Sequence, residues 1–160
     1  MPKSRISWQE FQKYAPDAYT ALTALSKAVS ASGLEPDLIE MIKLRASQIN
    51  GCAFCTQYHL NAARKLEISQ PKLDLLVVWR DAGIFSPREK AAFAWTEDLT
   101  NVAGRHISDE DYAAVTAHFP AAQLAALTTA IGLINTWNRI AGPLQFAPPI
   151  PQPAREPAHA

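Results

Sequence analysis

The stretch Arg45-Ala-Ser-Gln-Ile-Asn-Gly-Cys-Ala-Phe-Cys-Thr-Gln-Tyr-His59 joins two predicted helices and contains the only two cysteines of the chain, Cys52 and Cys55. The pair Asn50-Gly51 ends the first helix, because glycine readily adopts the left-handed backbone that closes a helix. A second helix is predicted from Ala53 to Leu66. Cys52 therefore lies at or just before a helix N-terminus, and Cys55 lies in the first turn.

This placement favours reactive thiols. The unpaired N–H groups and the positive dipole end of a helix stabilise a thiolate, which lowers the cysteine pKa below its free value of about 8.5. Cys52, Cys55 and His59 follow an i, i+3, i+7 pattern, which places them on one helix face. A neutral imidazole can take the thiol proton, and its cation then stabilises the thiolate. The pattern indicates a redox dithiol with an ionisable partner.

The cysteine pair has other interpretations. The two cysteines could be small buried residues, or Cys52, Cys55 and His59 could be zinc ligands. A structural zinc site usually needs four ligands, and the remaining histidines are scattered along the chain: His106, His118 and His159. A thioredoxin fold also places Cys-x-x-Cys at a helix start, but it requires a βαβ context that this sequence lacks.

Glu40 lies on the helix that precedes the cysteines. An ion pair with Lys43, three residues later, is the usual role of such a glutamate. The short Asn50-Gly51 connection also folds this helix back against the cysteine helix, which allows a contact between Glu40 and His59. The sequence spacing leaves both alternatives open.

Composition excludes several classes of function. The formal net charge is zero, so the basic surface expected of a protein that binds nucleic acid or anionic lipid is absent. The most apolar segment, residues 121–134, is shorter than the roughly 20 residues needed to cross a bilayer. The N-terminal residues lack the apolar core of a signal peptide. We therefore expect a cytoplasmic location, where a close cysteine pair is more often catalytic or metal-binding than structural.

The hydrophobic spacing predicts an all-α fold of seven or eight helices, without the period-two alternation of strands. Residues 1–142 are expected to form one domain, and the proline-rich tail 143–160 is expected to be an extended arm or disordered. Capping-box patterns begin at Ser7 and Ser86. The predicted helices span Trp8–Tyr14, Pro16–Ser32, Asp37–Ile49, Ala53–Leu66, Ser69 to Gly83, Ser86 to about Gly104, Ser108–His118 and Pro120 to about Ile140, the last ended by Gly142-Pro143.

Glu40, followed after eleven residues by Cys-x-x-Cys and then by His59, resembles the signature of the alkylhydroperoxidase D family. That family belongs to the carboxymuconolactone decarboxylase-like superfamily of all-α proteins. The segment Ser47–Cys55 resembles the core motif, and Asn135-Thr-Trp-Asn-Arg139 is similar to part of the closing helix. The resemblance covers roughly Pro16 to Phe146.

The resemblance implies a thiol-dependent peroxidase without a metal or other cofactor. It assigns Cys55 as the residue that attacks the peroxide, Cys52 as the residue that resolves the sulfenic acid into a disulfide, and His59 with Glu40 as the proton relay. It also implies an external dithiol reductant and a homo-oligomer, either a trimer or a hexamer. The founding members carry histidine just before the second cysteine, whereas this chain has Phe54, which predicts weaker activity or a different substrate.

Three functions remain open from the sequence. The first is a peroxidase that reduces organic or hydrogen peroxide through Cys52 and Cys55. The second is a redox-sensing or disulfide-exchange module that passes oxidation to a partner protein. The third is a non-catalytic oligomeric scaffold in which both cysteines stay reduced.

Overall fold

The structure, a computed structural model, describes residues 4–104 and 106–151. These residues form eight α-helices and no β-strand, as the hydrophobic spacing predicted. The helices are α1 (Trp8–Tyr14), α2 (Pro16–Ser30), α3 (Pro36–Ile49), α4 (Ala53–Lys65), α5 (Gln70–Leu75), α6 (Pro87–Thr100), α7 (Asp109–Thr116) and α8 (Ala121–Leu144).

Helix α3 is the centre of the fold. It packs against α4, α6 and α8, and its side chains Ile42, Leu44 and Ala46 are fully buried. A helix that is apolar on several sides belongs in the interior, because each apolar side requires a partner. The opposing surfaces of α6 and α8 supply Phe93 and Ile131, which are also fully buried.

Local capping signals fix where several helices begin. Ser7 accepts a hydrogen bond from the backbone N–H of Glu10, whose carboxylate accepts one from the Ser7 N–H in return. The same reciprocal arrangement joins Ser86 and Glu89 at the start of α6. Both capping-box predictions are confirmed. Helix α1 matches its predicted span, and apart from α5 the other helix boundaries differ from prediction by a few residues, as the frayed ends of helices often do.

The predicted helix from Ser69 to Gly83 is wrong in its length. Helix α5 ends at Leu75, and a short 3₁₀ turn follows at Leu76–Val78. Consecutive β-branched valines weaken an α-helix. A 3₁₀ turn also aligns residues three apart, which lets Leu76 and Trp79 both be buried. Val77, between them, is 55% exposed.

The last helix continues past the expected stop at Gly142-Pro143. It ends where Gln145 adopts a left-handed backbone with φ of 56°. The N–H of Phe146 then bonds to the Ala141 carbonyl at 3.1 Å, and the N–H of Gln145 bonds to the Gly142 carbonyl at 3.0 Å. These two bonds form a Schellman motif, which closes a helix end by satisfying its free carbonyls.

The beginning of the expected tail is ordered and packed. The Leu144 carbonyl accepts hydrogen bonds from the N–H groups of Arg5 and Ile6 at 3.1 and 3.3 Å. Phe146 is buried, with 3% of its surface exposed, and Asn61 donates a hydrogen bond to the Pro149 carbonyl. The expected extended arm is therefore wrong for residues 143–146, whereas residues 147–151 form no helix or strand and are mostly exposed. Residues 152–160 lie outside the described residues.

Among the residues that the structure describes, no single helix is long and apolar enough to cross a membrane. Helices α7 and α8 together reach the required length and composition, but they are bent by 114° relative to each other.

Candidate active site

The connection between α3 and α4 fixes the position of Cys52. Gly51 takes a left-handed backbone with φ of 64°, its N–H bonds to the Gln48 carbonyl, and the Cys52 N–H bonds to the Ser47 carbonyl at 3.0 Å. This Schellman motif makes Cys52 the last residue of the α3 cap. Cys52 is also the N-cap of α4, where its sulfur accepts a hydrogen bond from the Cys55 N–H at 3.3 Å.

The two cysteines form a disulfide between Cys52 and Cys55. Both residues are buried, with 1% and 3% of their surfaces exposed, in an apolar cluster that includes Ile134 and Phe146. Cys55 lines a cavity of about 320 Å³, whereas Cys52 lies outside the cavity wall. The two sulfurs therefore have different environments, although the sequence spacing placed both residues on one face with His59.

The cavity has an aromatic part and a polar part. Its aromatic side chains come from α1, α2, α4 and α8: Trp8, Tyr19, Phe54, Tyr58 and Trp137. Its polar side chains come from α2, α3 and α4: Thr23, Ser26, Ser30, Glu40, Lys43, Cys55 and His59. Aliphatic side chains complete the wall: Leu22, Ala62, Leu133, Ile134 and Ala141.

Glu40 contacts both of its candidate partners. One carboxylate oxygen, Oε2, lies 2.7 Å from His59 Nδ1, and the other, Oε1, accepts a hydrogen bond from Lys43 Nζ at 3.1 Å. His59 is only 8% exposed. The structure therefore brings together Glu40, His59 and Cys55 in one cavity wall, and it adds Lys43, which the sequence offered only as an alternative partner for Glu40.

The protonation of Glu40 follows from these contacts. Burial raises the pKa of the Glu40 carboxyl, but the hydrogen bond and charge of His59, together with Lys43, outweigh burial and hold the pKa below its ordinary value of 4.5. Glu40 is therefore ionised at neutral pH. An ionised carboxylate on Nδ1 favours a proton on that nitrogen, which leaves Nε2 free to accept a proton.

This lowered pKa predicts a specific loss of stability in acid. The Glu40 carboxylate binds a proton near pH 4.5 in the unfolded state and at lower pH in the folded state. Its contribution to the free energy of unfolding is therefore complete above about pH 4.5 and is lost as the pH falls through the folded pKa. We expect Glu40→Gln to lower the free energy of unfolding at pH 7 by about 1–3 kcal/mol and to weaken its dependence on pH below 5. Urea unfolding at several pH values measures both effects.

Glu110→Gln removes an exposed glutamate and is the matched control for this measurement. Equal pH slopes for Glu40→Gln and the wild type would contradict the coupling between Glu40 and its two partners.

An aromatic cluster around Trp8 covers the cysteine region. The Trp8 ring centroid lies 5.4 Å from Phe54 and Trp137, 5.6 Å from Tyr19 and 5.7 Å from Phe146. No local sequence signal indicates that helix α1 and the segment after α8 meet beside the cysteines.

Buried amides on α8 hold the α3–α4 connection. The Asn50 side-chain amide donates to the side-chain oxygens of Asn135 and Asn138, both at 2.9 Å. Asn138 in turn donates to the hydroxyl of Ser47 at 3.1 Å. The sequence identifies the segment 135–139 only by its similarity to part of the closing helix. Asparagines occupy the buried side of α8 because the side-chain oxygen of each accepts a hydrogen bond from Asn50, in the connection that carries Cys52.

Within residues 4–104 and 106–151, no group of three or more His, Cys, Asp or Glu side chains is arranged to hold a metal ion.

Comparison with known proteins agrees with this geometry. Residues 16–98 match the carboxymuconolactone decarboxylase family. The uncharacterized protein YdfG of Bacillus subtilis (strain 168) is 35% identical over 136 residues, which cover 85% of this chain and 90% of that protein. The chain therefore belongs to the carboxymuconolactone decarboxylase family.

Solved structures show the same fold. An Agrobacterium tumefaciens protein of unknown function, described as a putative antioxidant defence protein AhpD, is 38% identical with a TM-score of 0.87, covering 93% of this chain and all of that chain. The debrominase Bmp8, solved with 2,3,4-tribromopyrrole, is 16% identical with a TM-score of 0.73, covering 84% of this chain and 72% of that chain. Within its superfamily, the chain is alkylhydroperoxidase D-like, and the similarity to the debrominase is one of fold alone.

Proposed function

We propose that this protein is a thiol-dependent peroxidase, in which Cys55 reduces a peroxide and an external dithiol restores the cysteines. The observation that supports this proposal most strongly is the placement of Cys55, His59 and Glu40 in the wall of one cavity. Cys52 lies on the closed side of Cys55 as its disulfide partner. A nucleophile, a base and a group that orients the base are the parts required to activate a thiol.

The reaction begins with reduced cysteines. His59 accepts the Cys55 thiol proton, and the thiolate sulfur attacks a peroxide oxygen, so that a sulfur–oxygen bond forms as the oxygen–oxygen bond breaks. His59 returns the proton to the leaving alkoxide, which departs as an alcohol. The sulfur has lost two electrons to the peroxide and is now a sulfenic acid.

The second step closes the disulfide. The Cys52 thiolate attacks the Cys55 sulfur, a sulfur–sulfur bond forms, and the hydroxyl leaves as water after it takes the proton that Cys52 released. An external dithiol then attacks the disulfide, gives up two electrons and two protons, and leaves as its own disulfide. Both cysteines are thereby returned to the thiol form.

The α4 N-terminus and His59 serve different sulfurs in this scheme. The Cys55 N–H points to the Cys52 sulfur, so the backbone of the helix start stabilises the Cys52 thiolate as a resolving nucleophile and as a leaving group. Cys55 faces the cavity that also contains His59. Activation of Cys55 therefore depends on the base more than on the helix N-terminus.

Phe54 has no ionisable group, so the proton transfer depends on His59 and Glu40. The residue before the second cysteine is a histidine in the founding enzymes that this chain resembles, and here the Phe54 ring stacks on Trp8 at 5.4 Å. An aromatic hydrocarbon neither donates nor accepts the proton. The mechanism therefore has one base rather than two.

Burial argues against the alternative of disulfide exchange with a partner protein. Both cysteines are at most 3% exposed, and a protein thiol must approach a disulfide sulfur in line with the bond. A cavity of about 320 Å³ admits a small molecule to Cys55 instead. This difference favours a peroxide and a small dithiol as the reactants.

The test is a peroxide consumption assay with purified protein and dithiothreitol as the reductant. We expect catalytic consumption of cumene hydroperoxide, with titration of two free thiols before peroxide addition and none after one equivalent. 2,3,4-Tribromopyrrole, the ligand of Bmp8, is assayed in parallel for bromide release. No loss of thiols on peroxide addition, or release of bromide without peroxide consumption, would overturn the peroxidase assignment.

A further inference from the structure

Lys43 is an unusual component of the cavity wall. Its side chain lines the cavity and the residue is only 7% exposed, although lysine is rarely buried without full pairing. An ammonium has three N–H donors. Within the described part of the chain, its hydrogen-bond partner is one oxygen of Glu40, whose other oxygen contacts His59.

One carboxylate is shared between two basic side chains of the cavity wall. Glu40 contacts Lys43 through one oxygen and His59 through the other. Proton transfer from Cys55 to His59 does not change the net charge of the wall, because the Cys55 thiolate balances the imidazolium. Lys43 makes one hydrogen bond to the described residues, so two of its three N–H donors are left for an anionic group on a bound molecule.

Helix α2 adds hydroxyl groups to the same cavity. Thr23, Ser26 and Ser30 all line it, and their i, i+3, i+7 spacing places them on one helix face. The Ser30 hydroxyl donates to the Ser26 carbonyl. Across residues 4–104 and 106–151, the hydroxyls of Thr23 and Ser26 have no recorded protein partner, so both are available to donate to an anion.

We infer that Lys43, with Thr23 and Ser26, forms a subsite for a carboxylate, and that the substrate is an organic hydroperoxide that carries one. The inference rests on the proposed peroxidase function. The carboxylate is held at Lys43, the apolar body contacts the aromatic side chains, and the peroxide reaches Cys55. The arrangement selects amphiphilic acids over neutral hydroperoxides of the same shape.

The test compares cumene hydroperoxide that carries a para-carboxylate with its methyl ester, with dithiothreitol as a neutral reductant. We expect kcat/KM for the acid to exceed that for the ester by about tenfold, mainly through KM, as one charge-assisted hydrogen bond provides. The rate of each peroxide with dithiothreitol alone corrects for intrinsic reactivity. An acid-to-ester ratio near one in the wild type would overturn the subsite.

Variants test whether the preference for the acid over the ester depends on Lys43. Lys43→Met is expected to bring the acid-to-ester ratio to about one, Lys43→Arg to keep most of it, and Lys27→Met, which removes an exposed lysine of α2, to leave it intact. The ratio is informative even if Lys43→Met slows both substrates by disturbing Glu40. An unchanged ratio in Lys43→Met would also overturn the subsite.

Binding separates this inference from the proposed function. Calorimetry of the disulfide form measures two affinities. One is for the alcohol product that carries the para-carboxylate, and the other is for the same alcohol with that carboxylate converted to a methyl ester. We expect the acid to bind about tenfold more tightly. Tight binding of the acid without turnover of any peroxide would contradict the proposed peroxidase function and support the carboxylate subsite. Turnover of both peroxides, with equal affinities for the acid and the ester, would support the peroxidase function and contradict the subsite.

Discussion

Replacing Cys55 with serine is expected to reduce peroxide consumption by at least about a thousandfold, because the variant loses the nucleophile that begins the reaction. Cys55 is the cysteine that lines the cavity, and its sulfur there is accessible to a small molecule. A serine hydroxyl is far less acidic than a thiol and cannot form the sulfenic acid. Steady-state peroxide consumption with dithiothreitol measures the loss.

Cys52→Ser is the matched control. It keeps Cys55 and His59 but removes the resolving thiol, so it should consume one equivalent of peroxide rapidly and then stop, with a sulfenic acid that a dimedone-type reagent traps. Alkylation rates of this variant against pH report the Cys55 pKa, which we expect below about 8.5. A burst in Cys55→Ser and none in Cys52→Ser would reverse the two roles.

Short-range signals in the sequence predicted where α3 ends and where the cysteines lie on α4. Asn50-Gly51 predicted where α3 ends, and the Schellman motif at Gly51 then determines that Cys52 begins α4. Both events depend on the backbone preferences of neighbouring residues, which act over one helical turn. The same tight connection packs α3 against α4, which allows the contact between Glu40 and His59 that the spacing had left open.

The surroundings of the site depend on long-range packing and could not be predicted in the same way. Trp8 and Phe146 lie at opposite ends of the chain, and their ring centroids are 5.7 Å apart. The end of α8 was predicted too early because the left-handed residue that closes this helix is Gln145 rather than a glycine. The free carbonyl of Leu144 is satisfied by the N-terminal segment, which no pattern within α8 indicates.

Lys43 shows that a local contact can be predicted from the sequence while its burial cannot. Its spacing from Glu40 predicted their ion pair, and that pair is present. The spacing could not show that the pair is buried in a cavity wall, because burial depends on how α2, α4 and α8 are placed around Lys43. The same ion pair on an exposed helix would contribute little to stability.

The second large effect is expected at His59, where His59→Gln should lower kcat/KM by about 10²–10⁴-fold, the usual contribution of a general base. Glutamine fills much of the space of histidine and can still contact Glu40, so it limits the structural damage at a residue that is only 8% exposed. Glu40→Gln alone should also slow the reaction, because it removes the carboxylate that lies 2.7 Å from His59 Nδ1.

The combination of the two substitutions tests whether Glu40 acts through His59. Groups that work as one unit give strongly non-additive losses, so Glu40→Gln with His59→Gln should be little slower than His59→Gln alone. Glu40 also binds Lys43, and a loss through Lys43 alone would persist in the double variant. Losses that multiply would show that the two residues act independently. A His59→Gln variant with kcat/KM near that of the wild type would show that His59 is not the base.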